Sequence, residues 1–291
     1  GVLADRQPDG NSVIFSAPDG LVVVDTGRHA WHRDAILALA RERKERIAAI
    51  VNTHWHLDHV SGNPGIRASY PALVVYASNA IDGALDGFLA QSARDSARYL
   101  DDPGIPLAMR EDIRGDLATI EHGDALKPDV VVTTTGRVRL GGRTMELHLA
   151  RDAVTAGDVW LYDASTRVAA LGDLVTLPVP FLDTACPENW KIALTQVAAI
   201  PFEVAIPGHG GPMTRPQFEQ YRRAFEAFVD CAHSERPAGD CASHWTDSVD
   251  ALMPGGASET QRGRQFAEYY VTMLRANGGR SKYCQAATDP P

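Results

Sequence analysis

The stretch "VNTHWHLDHVSGN", residues 51–63, decides how this chain is read. It places His54, His56, Asp58 and His59 close together on one short segment. Imidazole and carboxylate ligands together suit Zn2+, Fe2+ or Mn2+. In an extended segment alternate residues share a face. His54 and His56 therefore project together, and Trp55 between them faces the other side, toward core packing. His59 lies past a bend, so one compact loop can feed two adjacent metals. The residues just before, "RIAAIVNT" (46–53), read as a short buried strand. The cluster thus sits at a strand's C-terminal end, where loops build sites.

Working outward, "NSVIFSAPDGLVVVDTG" (11–27) reads as a hairpin, two apolar runs about the turn Pro18-Asp19-Gly20. Residues 30–45 carry apolar positions at helical spacing. "ALVVYAS" (72–78) is another buried strand. Residues 79–127, rich in Ala, Asp, Arg and Gly and broken at Pro103-Gly104 and Pro106, read as a helical insertion that either lids the site or covers a sheet edge. From 129 onward "DVVVTTT", "RTMELHLA", "DVWLYDA" and "RVAALGD" are short strands. "RLGGRT" (139–144) is a hairpin turn rather than a phosphate loop, because no helix N-terminus follows it. "NWKIALTQVAAI" is a helix and "EVAIPGHG" a strand ending in a loop. Helices are expected at 216–232 and 258–276. Strands and helices thus come in two successive rounds, 11–76 and 129–209, which suggests two similar layers rather than one continuous parallel sheet.

The chain has 291 residues, 44% hydrophobic and 22% charged, an ordinary globular composition. No apolar run approaches the roughly 20 residues of a membrane span. The formal charge of −9 disfavours nucleic-acid partners. The one basic run, "RERKER" (41–46), alternates sign and reads as a solvated helix face. Four cysteines, Cys186, Cys231, Cys241 and Cys284, form no C-x-x-C pair. Three lie late, in polar, loop-like sequence. One or two disulfides are expected, Cys231–Cys241 foremost, with a periplasmic or secreted location. The start at "GVLADRQPDG" fits a trimmed secreted chain or an arbitrary boundary equally.

Two further metal-binding types stand at strand ends: Asp173 after Gly172, and His209 in "PGHGG". His29 and His32 in "RHAWH" read as surface helix residues, or else as the border of the pocket, since they follow the "DTG" loop. His233 and His244, beside cysteines, are given no catalytic part.

"THWHLDH" is similar to the H-x-H-x-D-H signature of the metallo-β-lactamase superfamily. "DTG" (25–27), "TAGD" (155–158), "LGDLV" (171–175) and "PGHG" (207–210) resemble its later motifs in order and spacing, over roughly residues 10–215. The "GDLV" and "PGHG" contexts look like those of periplasmic zinc hydrolases. The resemblance implies an α+β fold, a four-layer αββα sandwich. Residues 1–235 would form that domain, including the insertion at 79–127, and 236–291 a C-terminal extension packed on it.

By the same resemblance, His54 and His56 belong to a first metal. Asp58, His59 and His209 belong to a second, and Asp173 bridges them. Asp25 would orient the ligand loop. The family's third histidine of the first metal falls where this chain has Val154, which cannot bind metal. His148 is misplaced for the task, and Asp152 is a remote substitute. One tight zinc is therefore expected at Asp58, His59, Asp173 and His209, with the other site weak or empty. His56 stands where related di-iron proteins carry Glu, which points to zinc over iron. The implied activity is hydrolysis by metal-activated water of a small-molecule ester, lactone, thioester or amide, a β-lactam included. Asp58 would orient the water, and His54 or His56 would act as base where not ligating. The competing expectation, motivated by Val154, is a weak or inactive member that only binds metal or ligand.

Overall fold

The computed structural model describes residues 6–253 and 255–284. The chain divides into two compact units, Gly1–Met145 and Glu146–Pro291. The expectations attached to residues 1–5 and 285–291 lie outside the described residues.

The first unit begins with the expected hairpin. Strands β1 (Val13–Ala17) and β2 (Gly20–Val24) pair antiparallel from Val13↔Val24 to Ala17↔Gly20. Helix α1 (Ala30–Arg43) follows. It ends at Lys44 in the left-handed region, with Arg41 and Arg43 in the last turn beside the exposed carbonyl dipoles. Strand β3 (Ile47–Val51) enters parallel to β2, then come the single turn α2 (Leu57–Val60), α3 (Asn63–Ser69) and β4 (Val74–Ala77). Residues 79–127 are helical as expected: α4 (Ala80–Asp86), α5 (Phe88–Ala97) and α6 (Leu107–Glu121). Strand β5 (Val130–Val131) closes a five-stranded sheet of order β1-β2-β3-β4-β5.

Two apolar clusters fill this unit. Leu21, Val23, Ile47, Ile50 and Val75 of the sheet pack with Ile36, Leu37 and Ala40 of α1. Trp55, Leu57 and Val60 pack with Ile81, Ala84, Leu89 and Leu126 of the helical segment. Trp55 is therefore a core residue, as its direction implied. The segment 79–127 is docked on the histidine loop itself.

The second sheet uses β6 (Gly136–Leu140), β7 (Arg143–Arg151), β8 (Gly157–Asp163), β9 (Val168–Thr176), β10 (Val204–His209) and β11 (Met213–Thr214). In the second unit β7, β8 and β9 form an antiparallel run, β10 joins β9 in parallel, and β11 pairs antiparallel with β10. Helices α7 (Pro187–Ala198), α8 (Arg215–Ala232), α9 (Ala238–Val249) and α10 (Gly256–Ala276) complete it. Two sheets with their helices make the mixed α/β class expected. No helix among the described residues is long and apolar enough to cross a membrane.

Two elements differ from the sequence reading. "DVVVTTT" yields a strand of only two residues, Val130–Val131. It pairs with Tyr76 and Ala77, the last residues of β4, so the ladder ends where β4 does. The stretch between Cys231 and Cys241 reads as a polar loop, with no element expected between it and the helix at 258–276; instead α9 starts at Ala238 and runs to Val249, burying Cys241, Ala242, Trp245 and Val249 on one face. The apolar positions there are few but correctly spaced, and tertiary packing carries the helix. Helix α8, expected from its spacing, has a complete capping box from Thr214 and Gln217, with Pro216 in its first turn. Its buried Phe218, Tyr221, Phe225, Phe228 and Val229 share one core with Trp190 of α7, Trp245 of α9 and Val271 and Leu274 of α10.

Two disulfides close this unit. Cys231–Cys241 joins the end of α8 to α9, as expected, and Cys186–Cys284 ties the chain after α10 to the start of α7. Thiol counting on denatured, unreduced protein is expected to find none. Replacing Cys231 and Cys241 together by serine is expected to lower unfolding stability by about 2–3 kcal/mol, read as a shifted denaturant midpoint. An unchanged midpoint would contradict the bridge's structural weight.

Candidate metal centre

In the first unit the histidine loop leaves β3 at Val51 and turns into α2. His54, His56 and His59 are buried there, with Asp58 half-buried. The His54 and His56 rings meet edge-on with centroids 4.4 Å apart, and His54 and His59 lie at 4.3 Å. The two oxygens of Asp58 face different ways. Its Oδ2 is 3.6 Å from His59 Nε2, and its Oδ1 is 3.8 Å from an Arg28 guanidinium nitrogen. All four ligand residues expected from this loop are brought together.

Asp25 organises them. It lies in the "DTG" turn with φ of 57°, a left-handed conformation that Asp tolerates better than most residues. Its carboxylate is buried. Oδ1 accepts the Thr53 amide at 2.7 Å, while Oδ2 accepts the Thr53 hydroxyl at 2.7 Å and faces His59 Nδ1 at 2.8 Å. A carboxylate only accepts, so His59 carries its proton on Nδ1 and presents Nε2 as a lone-pair nitrogen. The Thr53 hydroxyl, already donating to Asp25, accepts from His54 Nδ1 at 2.9 Å. His54 is thereby held in the same tautomer. One acid sets two imidazoles in ligand form, as metal-binding histidines require.

The irregular segment before β1 packs against this loop. The Gly10 amide donates to the Asp58 carbonyl at 3.0 Å. A Cβ on Gly10 would collide with the His59 ring, so only glycine passes here. Nearby, His29 corrects an expectation: it is buried rather than on the surface. Its Nδ1 faces Asp9 at 2.7 Å and its Nε2 faces Asp112 of α6 at 3.1 Å. Burial alone would push Asp9 up, but hydrogen bonds from His32, from His29 and from the backbone amides of His29 and Arg28 outweigh it and hold Asp9 below the usual carboxylate range. Arg28 pairs with Asp116 of α6 as well as facing Asp58. Burial works against its charge; those two carboxylates outweigh it and keep the guanidinium protonated. None of this network was legible as a motif. Thr53 was the one residue whose position beside His54 could have signalled its part.

In the second unit, Asp173 and His209 sit on adjacent parallel strands, β9 and β10. His209 Nε2 is 3.7 Å from Asp173 Oδ1. The register between these strands shifts at Pro207 and again before His209. Gly208 is required there, because a Cβ would collide with Asp173 Oδ1. The strand end is further held by Thr176, whose hydroxyl donates to the Asp173 carbonyl and whose amide donates to the buried Tyr221 hydroxyl.

Val154 lies on the loop between β7 and β8. Its side chain is 1% exposed and belongs to the apolar core of the second unit. Asp158 clamps the loop's backbone, accepting the amides of Val154 and Thr155 and the Thr155 hydroxyl. Burial raises the Asp158 carboxyl to about 8 against those donors, with Asp173 adding to the rise. The substitutes weighed for position 154 are occupied otherwise. His148 stacks flat on Trp160 at 3.8 Å, and Asp152 turns the loop with φ of 51°. His233 and His244 are exposed.

The family model described as the metallo-beta-lactamase superfamily matches residues 6–209. Among curated proteins, the linear primary-alkylsulfatase of Pseudomonas sp. (strain ATCC 19151) is 24% identical over 249 residues, 76% of this chain and 46% of that protein. The hydroxyacylglutathione hydrolase of Synechococcus sp. (strain JA-3-3Ab) is 43% identical over 54 residues, 19% of this chain and 21% of that protein. The chain thus spans less than half the length of either relative. Among solved structures, a metallo-beta-lactamase family protein from Thermus thermophilus matches with a TM-score of 0.61 at 18% identity, over 92% of this chain and 89% of that one. The stereoselective inverting sec-alkylsulfatase from Pseudomonas sp. matches with 0.61 at 19% identity, over 97% of this chain and 49% of that one. At such identities these structures show a shared fold.

Proposed function

The chain belongs to the metallo-beta-lactamase superfamily, and from that membership we propose that it is a zinc-dependent hydrolase of a small ester, thioester, lactone or amide. Members of the superfamily are hydrolases that typically bind divalent metal ions. The observation that carries the reading is the Asp25 arrangement, which sets His54 and His59 with Nε2 as the ligating nitrogen. Such an arrangement suits a metal and has no evident use in a merely packed core.

We place the tight zinc at Asp58, His59, Asp173 and His209. His54 and His56, with Asp173, form the weaker set, because position 154 offers a valine. The donor set of imidazoles and carboxylates fits zinc. When bound, the metal would acidify water toward a pKa of about 7 and polarise the scissile oxygen.

The chain's own residues then supply geometry and proton movement. Asp58 orients the attacking water. His54 or His56, where not ligating, takes its proton, at His54 on Nε2, a contribution of roughly 10²–10⁴-fold. For His54 the Thr53 hydroxyl and Asp25 hold the Nδ1 proton in place and steady the charge that forms. The charge of −9 supports a small-molecule substrate over nucleic acid. The two disulfides support a periplasmic or secreted location.

A second reading is hydrolysis of an alkyl sulfate ester. It is favoured by the relative that matches along 76% of the chain, an alkylsulfatase. Zinc-loaded protein tested on alkyl sulfates, thioesters, lactones and β-lactams separates the readings. Turnover of a carboxylic ester or lactone is the expected result. Turnover of sulfates alone would favour the second, and bound zinc without turnover of any would leave a binding protein.

A further inference from the structure

We propose that Arg28 is a positioning residue that biases which Asp58 oxygen faces His59 and couples Asp58 to the helical segment 79–127; this rests on the zinc reading above. The two Asp58 carboxylate oxygens face different neighbours. Oδ2 is turned to the His59 Nε2 side, the ligating side, while Oδ1 faces the guanidinium at 3.8 Å. An aspartate without such a neighbour can swing either oxygen, or both, toward a metal. At 3.8 Å the guanidinium attracts Oδ1 by charge rather than by a hydrogen bond, and this attraction draws that oxygen away from the ligand side and favours Oδ2 there.

The guanidinium is itself held. Its side chain is only 14% exposed, and Asp116 of α6 pairs with its other terminal nitrogen. Its backbone amide donates to Asp9, which also accepts the His29 amide and faces the His29 ring. His29 in turn reaches Asp112, one turn before Asp116 on α6. Helix α6 is thus anchored twice to the turn that carries Arg28. A cation beside a metal site would ordinarily weaken metal binding by repulsion. Here Asp116 balances the Arg28 charge, so the orienting effect on Asp58 prevails. A planar fork can serve Asp58 and Asp116 at once, which a lysine ammonium does less well.

The test is zinc affinity of the full-length protein, by competition with a chromophoric chelator, for wild type, Arg28→Met, Arg28→Lys and the double variant Arg28→Met/Asp116→Asn. Thermal unfolding of each metal-free protein controls for folding. Arg28→Met is expected to weaken zinc binding by about 10–100-fold, the range seen when a ligand's supporting partner is lost. Arg28→Lys should recover part of it. The double variant restores charge balance without restoring the fork, so its affinity is expected to stay low. Affinity restored in the double variant would overturn positioning, because it would trace the loss to the Asp116 carboxylate left without its partner. Unchanged affinity in folded Arg28→Met, beside a wild type that binds, would overturn the proposal and leave the zinc reading standing. If Arg28→Met does not fold, Arg28→Lys decides: wild-type affinity there overturns the proposal. A wild type that binds no zinc would remove the zinc reading and this proposal together.

Discussion

Asp25→Asn is expected to reduce zinc affinity by about 100-fold or more while the protein remains folded. The supporting partner of a ligating histidine alone is worth about 10–100-fold. Asp25 supports two, His59 directly and His54 through Thr53. Asparagine keeps the shape and tolerates the positive φ of the turn. It retains one acceptor, which can still receive the Thr53 amide. Its NH2 group, however, meets His59 Nδ1 and the Thr53 hydroxyl as a donor. The favourable answer to a donor at Nδ1 is the other tautomer, with the proton on Nε2, and a protonated nitrogen cannot ligate. Nitrogen-15 NMR of the histidine rings in the metal-free variant should show His59 switched from the Nδ1–H to the Nε2–H form. An unchanged tautomer with wild-type zinc affinity would refute the role given to Asp25.

Asp158→Ala should destabilise the fold by about 3 kcal/mol or more, without touching any proposed ligand. The carboxyl group is fully enclosed and serves the amides of Val154 and Thr155 and the Thr155 hydroxyl. Each buried donor left without a partner costs about 1–3 kcal/mol. Denaturant unfolding of metal-free wild type and variant measures the difference, and a loss below about 1 kcal/mol would show that the loop finds other partners. The pH dependence has a defined sign. The folded carboxyl is raised to about 8 from an ordinary 3.8, so between those values the folded protein keeps a proton that the unfolded chain releases. Wild-type stability from this group is greatest below the unfolded value and declines as pH rises toward the folded one. The variant should lack that decline, so its deficit narrows as pH rises from about 4 to about 8.

How much of this was readable follows from which contacts are local. His54, His56, Asp58 and His59 announce themselves because four metal-binding residues fall on one loop, and the loop's position after a buried strand follows from "RIAAIV" alone. The hairpin about Pro18-Asp19 and the pairing of Cys231 with Cys241 are equally short-range. Asp173 and His209 needed the resemblance, since a lone Asp or His at a strand end carries no pattern. Arg28, Asp9 and Asp112 escaped altogether, and His29 was legible but its partners were not. Each is an ordinary residue type, and what joins them is packing across the 83 positions that separate His29 from Asp112. No period or spacing encodes such a meeting. Helix α9 was hidden for a related reason: a proline, a glycine and polar neighbours mask the spacing of Cys241, Trp245 and Val249 until α8 and α10 cover that face. His29 shows the cost of judging a histidine by its helix alone, because its burial comes from the opposing α6.

Position 154 bears most directly on function. A valine buried in the apolar core of the second unit, on a loop clamped by Asp158, offers nothing to a metal. The central claim that this chain holds a single tight zinc rests on that residue. Anomalous scattering from crystals, recorded on both sides of the zinc absorption edge, counts and places the metals in one measurement. One strong peak is predicted within ligand distance of Asp58, His59, Asp173 and His209, with weak or no signal beside His54 and His56. Two peaks of equal strength, or a single peak held by His54 and His56, would contradict it.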